Sequence, residues 1–241
     1  MSTRAVTEPR PDDAGAQGVE TGLLTGASAT YKLASILLQY PTQSLVEGLD
    51  ILDATAARLP RRARGALLPF LGWLRHTPPE DVAVHYVDTF DLRRRCSLYL
   101  TYFRSGDTRN RGMAMLAVKT AYRVAGLSPS EDELPDYLPL VLEFAAISPR
   151  GEALLSQHRA DLELLRRGLD RAGSPYVAIV DAVCAQLPGL GRRELATVTR
   201  AWETGPPEEA VGLEPFAPPE YLSGYPTGQQ SPASSRGDET R

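Results

Sequence analysis

The chain has 241 residues, of which 42% are hydrophobic and 23% charged, so it can bury a substantial core and has the composition of an ordinary globular protein. Its formal net charge is −4, with acidic ends and a slightly basic middle, which does not fit the strongly basic face of a typical nucleic-acid-binding domain. The two cysteines, Cys96 and Cys184, lie far apart and follow no metal-ligand spacing, so neither a disulfide framework nor a zinc site is indicated.

Both ends of the chain have the composition of disordered segments. Residues 1–26 are rich in Gly, Pro, Thr and acids, and residues 204–241 contain too many prolines for a helix and few apolar residues. The N-terminus lacks the apolar core of a secretory signal, and no run approaches the roughly 18 apolar residues of a membrane span. We therefore expect a cytoplasmic protein with one domain over residues 27–203 and two disordered tails.

Apolar residues recur at helical spacing throughout residues 27–203. This periodicity predicts helices at 33–40, 42–59, 67–74, 82–90, 113–125, 136–145, 155–169, 176–187 and 192–202. Gly126 suits a position just past a helix end. Asp136 is expected to cap the helix that has Pro139 in its first turn. No strand alternation or fixed repeat is visible, so the pattern predicts an all-α, single-domain helical bundle.

The segment Asp91–Gly112 combines six arginines with three aromatic rings. If residues 92–103 form a helix, Leu92, Cys96, Tyr99 and Phe103 are expected on its inward face. On the outward face of the same helix we expect Arg93, Arg94 and Tyr102. The arginines suit a solvated face that pairs with acids of adjacent helices, or a nucleic-acid contact. The second interpretation is weaker, because the aromatic residues are spaced to face a core.

No pattern typical of an enzyme is present: there is no nucleophile elbow, phosphate-binding loop or dinucleotide fingerprint. His85 and Cys96 lie on different predicted elements, so a nucleophile pair is not indicated. His158 stands on a leucine stripe and is interpreted as a partly buried, hydrogen-bonded imidazole. The acids at 131–136 precede a predicted helix, where the helix dipole favours negative charge. The same acids would equally attract a basic peptide.

The segments FDLRRRCSLYLTY and GDTRNRGMA, followed by ELPDYLPLVLEFAA, resemble the NarJ/TorD family of molybdoenzyme assembly chaperones. YKLASILLQYP near the start and a late LPG extend the resemblance over residues 27–200. It implies the all-helical fold of that family, no catalytic activity and no bound prosthetic group. It also implies binding to the catalytic (alpha) subunit of membrane-bound respiratory nitrate reductase, mainly its N-terminal segment. The chaperone would keep that subunit competent for insertion of the molybdenum bis-guanine dinucleotide cofactor before membrane docking.

The resemblance also implies a site. ELPDY matches the family's E-x-P-x-D-H motif loosely, with Tyr137 where a histidine is common, and RCSLY resembles a second element that lines the peptide groove. An apolar groove with a charged rim is what a peptide that folds on binding needs, and Tyr and Arg supply much of the energy in such contacts. The expected client-peptide-binding residues, on two sides of a groove, are Arg94, Arg95, Ser97, Tyr99, Tyr102, Glu133, Asp136 and Tyr137.

Two alternatives remain open at this point. The first is a chaperone of another molybdoenzyme that reads a twin-arginine signal. The second, from a different class, is a helical nucleic-acid or regulatory binding module that uses Arg93–Arg95. With the leading interpretation we expect no nucleic-acid partner, no insertion into a membrane and a monomer.

Overall fold

The structure is a computed structural model that describes residues 6–7, 26–106, 109–129 and 132–207. Its α-helices are α1 (Gly26–Leu37), α2 (Gln43–Glu47), α3 (Leu49–Ala56), α4 (Arg61–His76), α5 (Pro79–Tyr86), α6 (Tyr102–Ser105), α7 (Arg109–Val124), α8 (Leu138–Ile147), α9 (Pro149–Gln157), α10 (Arg159–Arg171), α11 (Val177–Cys184) and α12 (Arg192–Thr204). Two-residue strands, β1 (Val6–Thr7) and β2 (Ser128–Pro129), pair antiparallel. The all-α fold predicted from the sequence is confirmed.

Local signals set several helix ends. The Ser148 hydroxyl accepts a hydrogen bond from the backbone N–H of Arg150 and so caps α9. The Glu194 carboxylate accepts one from the Gly191 N–H at the start of α12, at 2.7 Å. Gly126 follows the end of α7 with a positive φ of 73°, which glycine adopts without strain.

The core is built around α8, in which nearly every residue is buried. Helix α8 packs against α1 and α9, while α4 packs against α11. A cluster of rings fills the space beside α4 and α11, and its members are Phe70, Trp73, His85, Tyr86, Phe90 and Tyr176. Among the helices of the described ranges, none combines the length and the apolar character needed to cross a membrane.

The segment from Leu92 to Phe103 is not the helix that its spacing predicts. A π-helical turn (Val87–Asp91) and a 3-10 turn (Arg94–Cys96) lead into extended backbone, and α6 begins only at Tyr102. The predicted faces are wrong at two positions, since Leu92 is 70% exposed and Tyr102 only 7% exposed. The cause is a backbone bridge to residues 136–138, which takes the hydrogen bonds that a helix would use.

Other elements differ in their bounds. The helix predicted at 42–59 divides into α2 and α3 at Gly48. The helix predicted at 155–169 is interrupted at His158, although its leucines are buried as expected. The His158 Nδ1 lies 2.8 Å from an oxygen of Asp161, whose other oxygen accepts a hydrogen bond from Arg104. The Asp161 carboxylate thus connects the interruption of the helix at His158 to α6.

The two tails predicted to be disordered lie almost wholly outside the described residues. Val6 and Thr7 are exceptions, since they pair with Ser128–Pro129 in the small sheet. Helix α1 begins at Gly26 and α12 ends at Thr204, close to the limits expected for the domain. The division into tails and domain stays a prediction.

Gly168 of α10 allows the 3-10 turn to touch the helix. A β-carbon at this position would lie 2.0 Å from the carbonyl oxygen of Arg95. No side chain fits at that distance, so the turn and α10 can approach each other this closely only because residue 168 is glycine.

The Gly168→Ala substitution should therefore destabilise the protein by about 1–3 kcal/mol, the usual cost of overpacking. Gly65→Ala in α4 is the matched control, because a β-carbon there meets no atom within 4 Å. The control should stabilise the protein by about 0.5–1 kcal/mol, since alanine favours a helix interior. Urea denaturation followed by circular dichroism measures both, and effects of the same sign would contradict the packing argument.

Candidate functional site

The two segments expected to form the site meet in one backbone bridge. Tyr99 and Tyr137 are antiparallel bridge partners. The Leu100 N–H donates to the Asp136 carbonyl at 3.0 Å, and the Leu138 N–H donates to the Leu98 carbonyl at 2.7 Å. The segments are therefore direct neighbours, which differs from the expectation that they form opposite sides of a groove.

Asp136 fastens this bridge from inside. Its side chain is fully buried, and one carboxylate oxygen accepts hydrogen bonds from the Thr101 N–H (3.1 Å) and the Thr101 hydroxyl (2.6 Å). The Arg111 guanidinium lies 3.9 Å from the same oxygen. The prediction that Asp136 caps a helix is wrong, because α8 begins after Tyr137 and the carboxylate is used by Thr101. The carboxylate is buried, so Asp136 acts from the interior, where it holds Thr101 in place.

A row of four tyrosines runs across the bridge. The rings of Tyr40 and Tyr86 meet edge to face at 5.5 Å, and the Tyr86 and Tyr137 hydroxyls lie 3.5 Å apart. The Tyr137 and Tyr99 rings follow at 5.6 Å. The Arg111 guanidinium lies 5.3 Å from the centre of the Tyr99 ring. We call Tyr40, Tyr86, Tyr137 and Tyr99 the tyrosine row; Tyr40 is exposed, Tyr86 is buried, and the other two are half-buried.

The phenols of Tyr86, Tyr99 and Tyr137 stay protonated at neutral pH, because the pKa of each is raised. Burial raises the pKa of Tyr99 to about 12, and the Glu133 carboxylate, which accepts its hydroxyl hydrogen bond at 3.1 Å, adds to the rise. Burial likewise raises the pKa of Tyr137 and of Tyr86. Each of these three rings therefore offers an apolar face and a neutral hydroxyl, which suits contact with a peptide rather than proton transfer.

The remaining predicted residues separate into two groups. Arg94 is exposed and donates a hydrogen bond from Nε to the Tyr102 hydroxyl at 2.8 Å. We therefore group Arg94 and Tyr102 with the residues of the bridge. The Ser97 hydroxyl accepts a hydrogen bond from the backbone N–H two residues further on. Arg95 instead donates to the Trp202 carbonyl and stacks 4.5 Å from the centre of the Trp202 ring. Its contacts join the 3-10 turn to α12 and not to the tyrosine row.

A cleft of about 670 Å³ opens beside Glu133. Its lining residues are Lys119, Arg123, Leu127, Ser128, Pro129, Asp132, Glu133, Leu134 and Pro135. Helix α7 borders it and exposes large apolar side chains at helical spacing, since Met113 is 71% exposed and Leu116 and Val124 about half. The cleft lining itself combines apolar side chains, among them Leu127 and Leu134, with charges of both signs.

Three of these features are not predicted by the sequence as parts of the site: Arg111, the link from Tyr40 to the row, and the exposed face of α7. The apolar spacing of α7 was visible, but spacing alone does not tell a face that packs in the core from one that stays exposed. Only Val118 and Tyr122 of this helix are buried.

Histidine, cysteine and acidic side chains are the groups that bear on catalysis. The described residues contain no group of three or more His, Cys, Asp and Glu side chains that could hold a metal ion. The His85 Nε2 lies 2.9 Å from the Ser174 hydroxyl, a contact that belongs to the core. Cys96 is buried, and burial raises the pKa of its thiol to about 11, so it is a poor nucleophile.

Comparison with known proteins identifies similar sequences. The family model described as nitrate reductase delta subunit matches residues 56–181. The nitrate reductase-like protein NarX of Mycobacterium tuberculosis is 44% identical over 160 residues, which are 64% of this chain and 24% of NarX. The probable nitrate reductase molybdenum cofactor assembly chaperone NarJ of Bacillus subtilis is 34% identical over 70% of this chain and 94% of its own length. The Escherichia coli NarJ chaperone is 36% identical over 62% and 65%. The chain thus spans about a quarter of NarX and nearly all of the Bacillus protein.

Removing the buried carboxylate should loosen the bridge. Asp136→Ala leaves the Thr101 N–H and hydroxyl without an acceptor, and it should lower the free energy of unfolding by about 3 kcal/mol. Glu133→Ala should cost less than about 1 kcal/mol, because Glu133 is only half-buried. Urea denaturation compares the two, and equal losses would show that the carboxylate does not fasten the bridge.

Both thiols should resist modification in the native protein. Burial raises the pKa of Cys96 to about 11 and that of Cys184 to about 12, so neither forms a thiolate at about pH 8. Ellman's reagent should react with neither cysteine until guanidinium is added, and then with both. Rapid reaction of the native protein would contradict this picture of the core.

Proposed function

The chain belongs to the nitrate reductase delta subunit family, and we propose that it is an assembly chaperone for a nitrate reductase, without catalytic activity of its own. The observation that carries the proposal is the similarity to the Bacillus subtilis NarJ chaperone, which covers 94% of that protein's length. A match over nearly a whole relative supports transfer of its role better than a match to one part of a larger protein.

In this proposal the client is the catalytic (alpha) subunit, bound in the cytoplasm mainly through its N-terminal segment. Binding keeps that subunit competent to receive its molybdenum cofactor and delays its docking at the membrane. The chaperone itself holds no prosthetic group. Because the complex must come apart after maturation, we expect an affinity near micromolar, which corresponds to about −8 kcal/mol.

The contact residues follow from exposure. Arg94, Ser97, Tyr99, Glu133 and Tyr137 are exposed or half-buried and lie at the bridge, so we propose that they touch the client segment. Half-buried tyrosines bury large ring areas at little cost in side-chain entropy, which favours them as anchors.

The other predicted residues act through these. Asp136 and Tyr102 are buried and hold the bridge and Arg94 in place. Arg95 attaches the 3-10 turn to α12. The client segment extends from the tyrosine row into the cleft beside Glu133, where Leu134 and the exposed side of α7 present apolar surface to one face of a helical peptide.

No observation favours the module that would use Arg93–Arg95 for nucleic acid. Arg93 donates to the Asp88 carbonyl, and its two neighbours donate to the Tyr102 hydroxyl and the Trp202 carbonyl. Three arginines engaged within the protein do not form the open basic stripe that phosphate contacts need.

The proposal is tested by calorimetric titration with a peptide of about 15 residues from the N-terminus of the nitrate reductase catalytic subunit of the same organism. We expect a dissociation constant in the micromolar range or below. Tyr99→Ala and Leu134→Asp should each weaken binding about tenfold or more.

Leu195→Asp is the matched control, because Leu195 on α12 is as exposed as Leu134, at 40%. It should leave the affinity unchanged. Absence of both heat and chemical-shift change with the wild-type protein would refute the peptide-binding role. Equal weakening of binding by the two leucine variants would show that the cleft does not take part in peptide binding.

A further inference from the structure

A cluster of arginines lies where α3 leads into α4, remote in sequence from the bridge. We call Arg58, Arg61, Arg62 and Arg64 the α4 corner. All four side chains are exposed. No aspartate or glutamate occurs between residues 54 and 79, so α4 itself carries no acid.

The charges of the α4 corner are not neutralised within the described part of the chain. Arg58, Arg61 and Arg62 form no side-chain hydrogen bond or ion pair there, and Arg64 reaches only the Ala57 carbonyl, at 3.4 Å. The preceding acids of α3 are both engaged by a different arginine, Arg75. The corner contrasts with Arg93–Arg95, which are all hydrogen-bonded.

The position of these charges disfavours the fold. Arg61 and Arg62 stand in the first turn of α4, at the positive end of the helix dipole, where acids are favourable and cations are not. Pro60 precedes them and supplies no side-chain cap. Since the arginines do not stabilise the helix, their charge is explained best by an anionic partner that the described residues do not supply.

We propose that the α4 corner is an electrostatic contact surface for the anionic headgroups of a phospholipid membrane. Four exposed cations within seven residues of chain can meet several headgroups of a flat surface at once. Leu68, which is partly exposed one turn beyond Arg64, adds apolar area beside them. The proposal is independent of the peptide-binding role, because it uses none of its residues.

Other anionic partners fit less well. The exposed residues from Ala57 to Pro69 include no aromatic side chain on which a nucleic-acid base could stack. Interfaces with acidic proteins usually need a buried anchor in addition to charge, and the corner presents charges that project outward from a helix end. What remains is diffuse attraction to a negatively charged surface.

The expected association is peripheral and sensitive to salt. Each arginine near an anionic bilayer should contribute about a fivefold increase in the partition coefficient. At about 0.5 M salt the screening length falls well below 10 Å, so most of the attraction should be lost.

The test is co-sedimentation of the full chain with vesicles that contain about 30 mol% phosphatidylglycerol in phosphatidylcholine, at about 50 mM salt. Binding should disappear in about 0.5 M salt and with vesicles of pure phosphatidylcholine. Arg61→Glu with Arg62→Glu should reduce partitioning at least about 25-fold, and more if the new acids are repelled.

The matched control is Arg192→Glu with Arg193→Glu, the same change of charge in the first turn of α12, where both arginines are also exposed. This variant should bind nearly as the wild type does. Arg61→Glu with Arg62→Glu should raise the melting temperature slightly, because acids are favourable at a helix start, so its loss of binding cannot come from unfolding.

Three results would overturn the proposal: a wild-type protein that stays in solution with anionic vesicles at low salt, equal losses in the two double variants, or retention by single-stranded DNA or polyglutamate without retention by vesicles. Titration with the client peptide tests the proposed function separately, so failure of the membrane proposal can be told apart from failure of the peptide-binding role. Arg61→Glu with Arg62→Glu should keep the full peptide affinity.

Discussion

The structure around the candidate site depends on one interaction, the hydrogen bonding of Thr101 to the buried carboxylate of Asp136. It lies beside the two backbone hydrogen bonds that bridge the segments of Tyr99 and Tyr137. A carboxylate removed from water needs nearby hydrogen-bond donors, and one oxygen of Asp136 finds two of them on Thr101, so the chain near Thr101 has little freedom to adopt another conformation. The short extended stretch in a helical protein is a direct consequence.

This constraint decides which side chains can serve recognition. The bridge holds the Tyr99 and Tyr137 rings 5.6 Å apart, and the Arg111 guanidinium near Asp136 also lies over the Tyr99 ring. A surface prepared in this way loses little side-chain entropy when a peptide binds. In the proposed peptide-binding role, the interior carboxylate of Asp136 would contribute through the geometry of the bridge, although Asp136 itself is inaccessible.

The sequence predicts the helices well and the bridge poorly, for a physical reason. The buried stripe of α10, from Leu162 to Leu169, repeats every three or four residues and can be recognised from local spacing. The bridge joins residues more than thirty positions apart, so the same spacing at 92–103 predicts a helix that long-range hydrogen bonds displace. Resemblance indicated Tyr99 and Tyr137, but local spacing could not indicate Arg111 or the buried state of Asp136.

The two arginine-rich regions show how differently the same residue type is used. Arg94 and Arg95 lie in the 3-10 turn and donate hydrogen bonds to the Tyr102 hydroxyl and the Trp202 carbonyl, so both guanidinium groups are engaged within the fold. Arg61 and Arg62 stand at a helix start that their charge opposes, and α4 itself contains no acid. Composition alone favours the first region as an electrostatic surface, because it is the denser cluster. Contacts reverse that ranking, since only charges that remain exposed and unpaired contribute to long-range attraction.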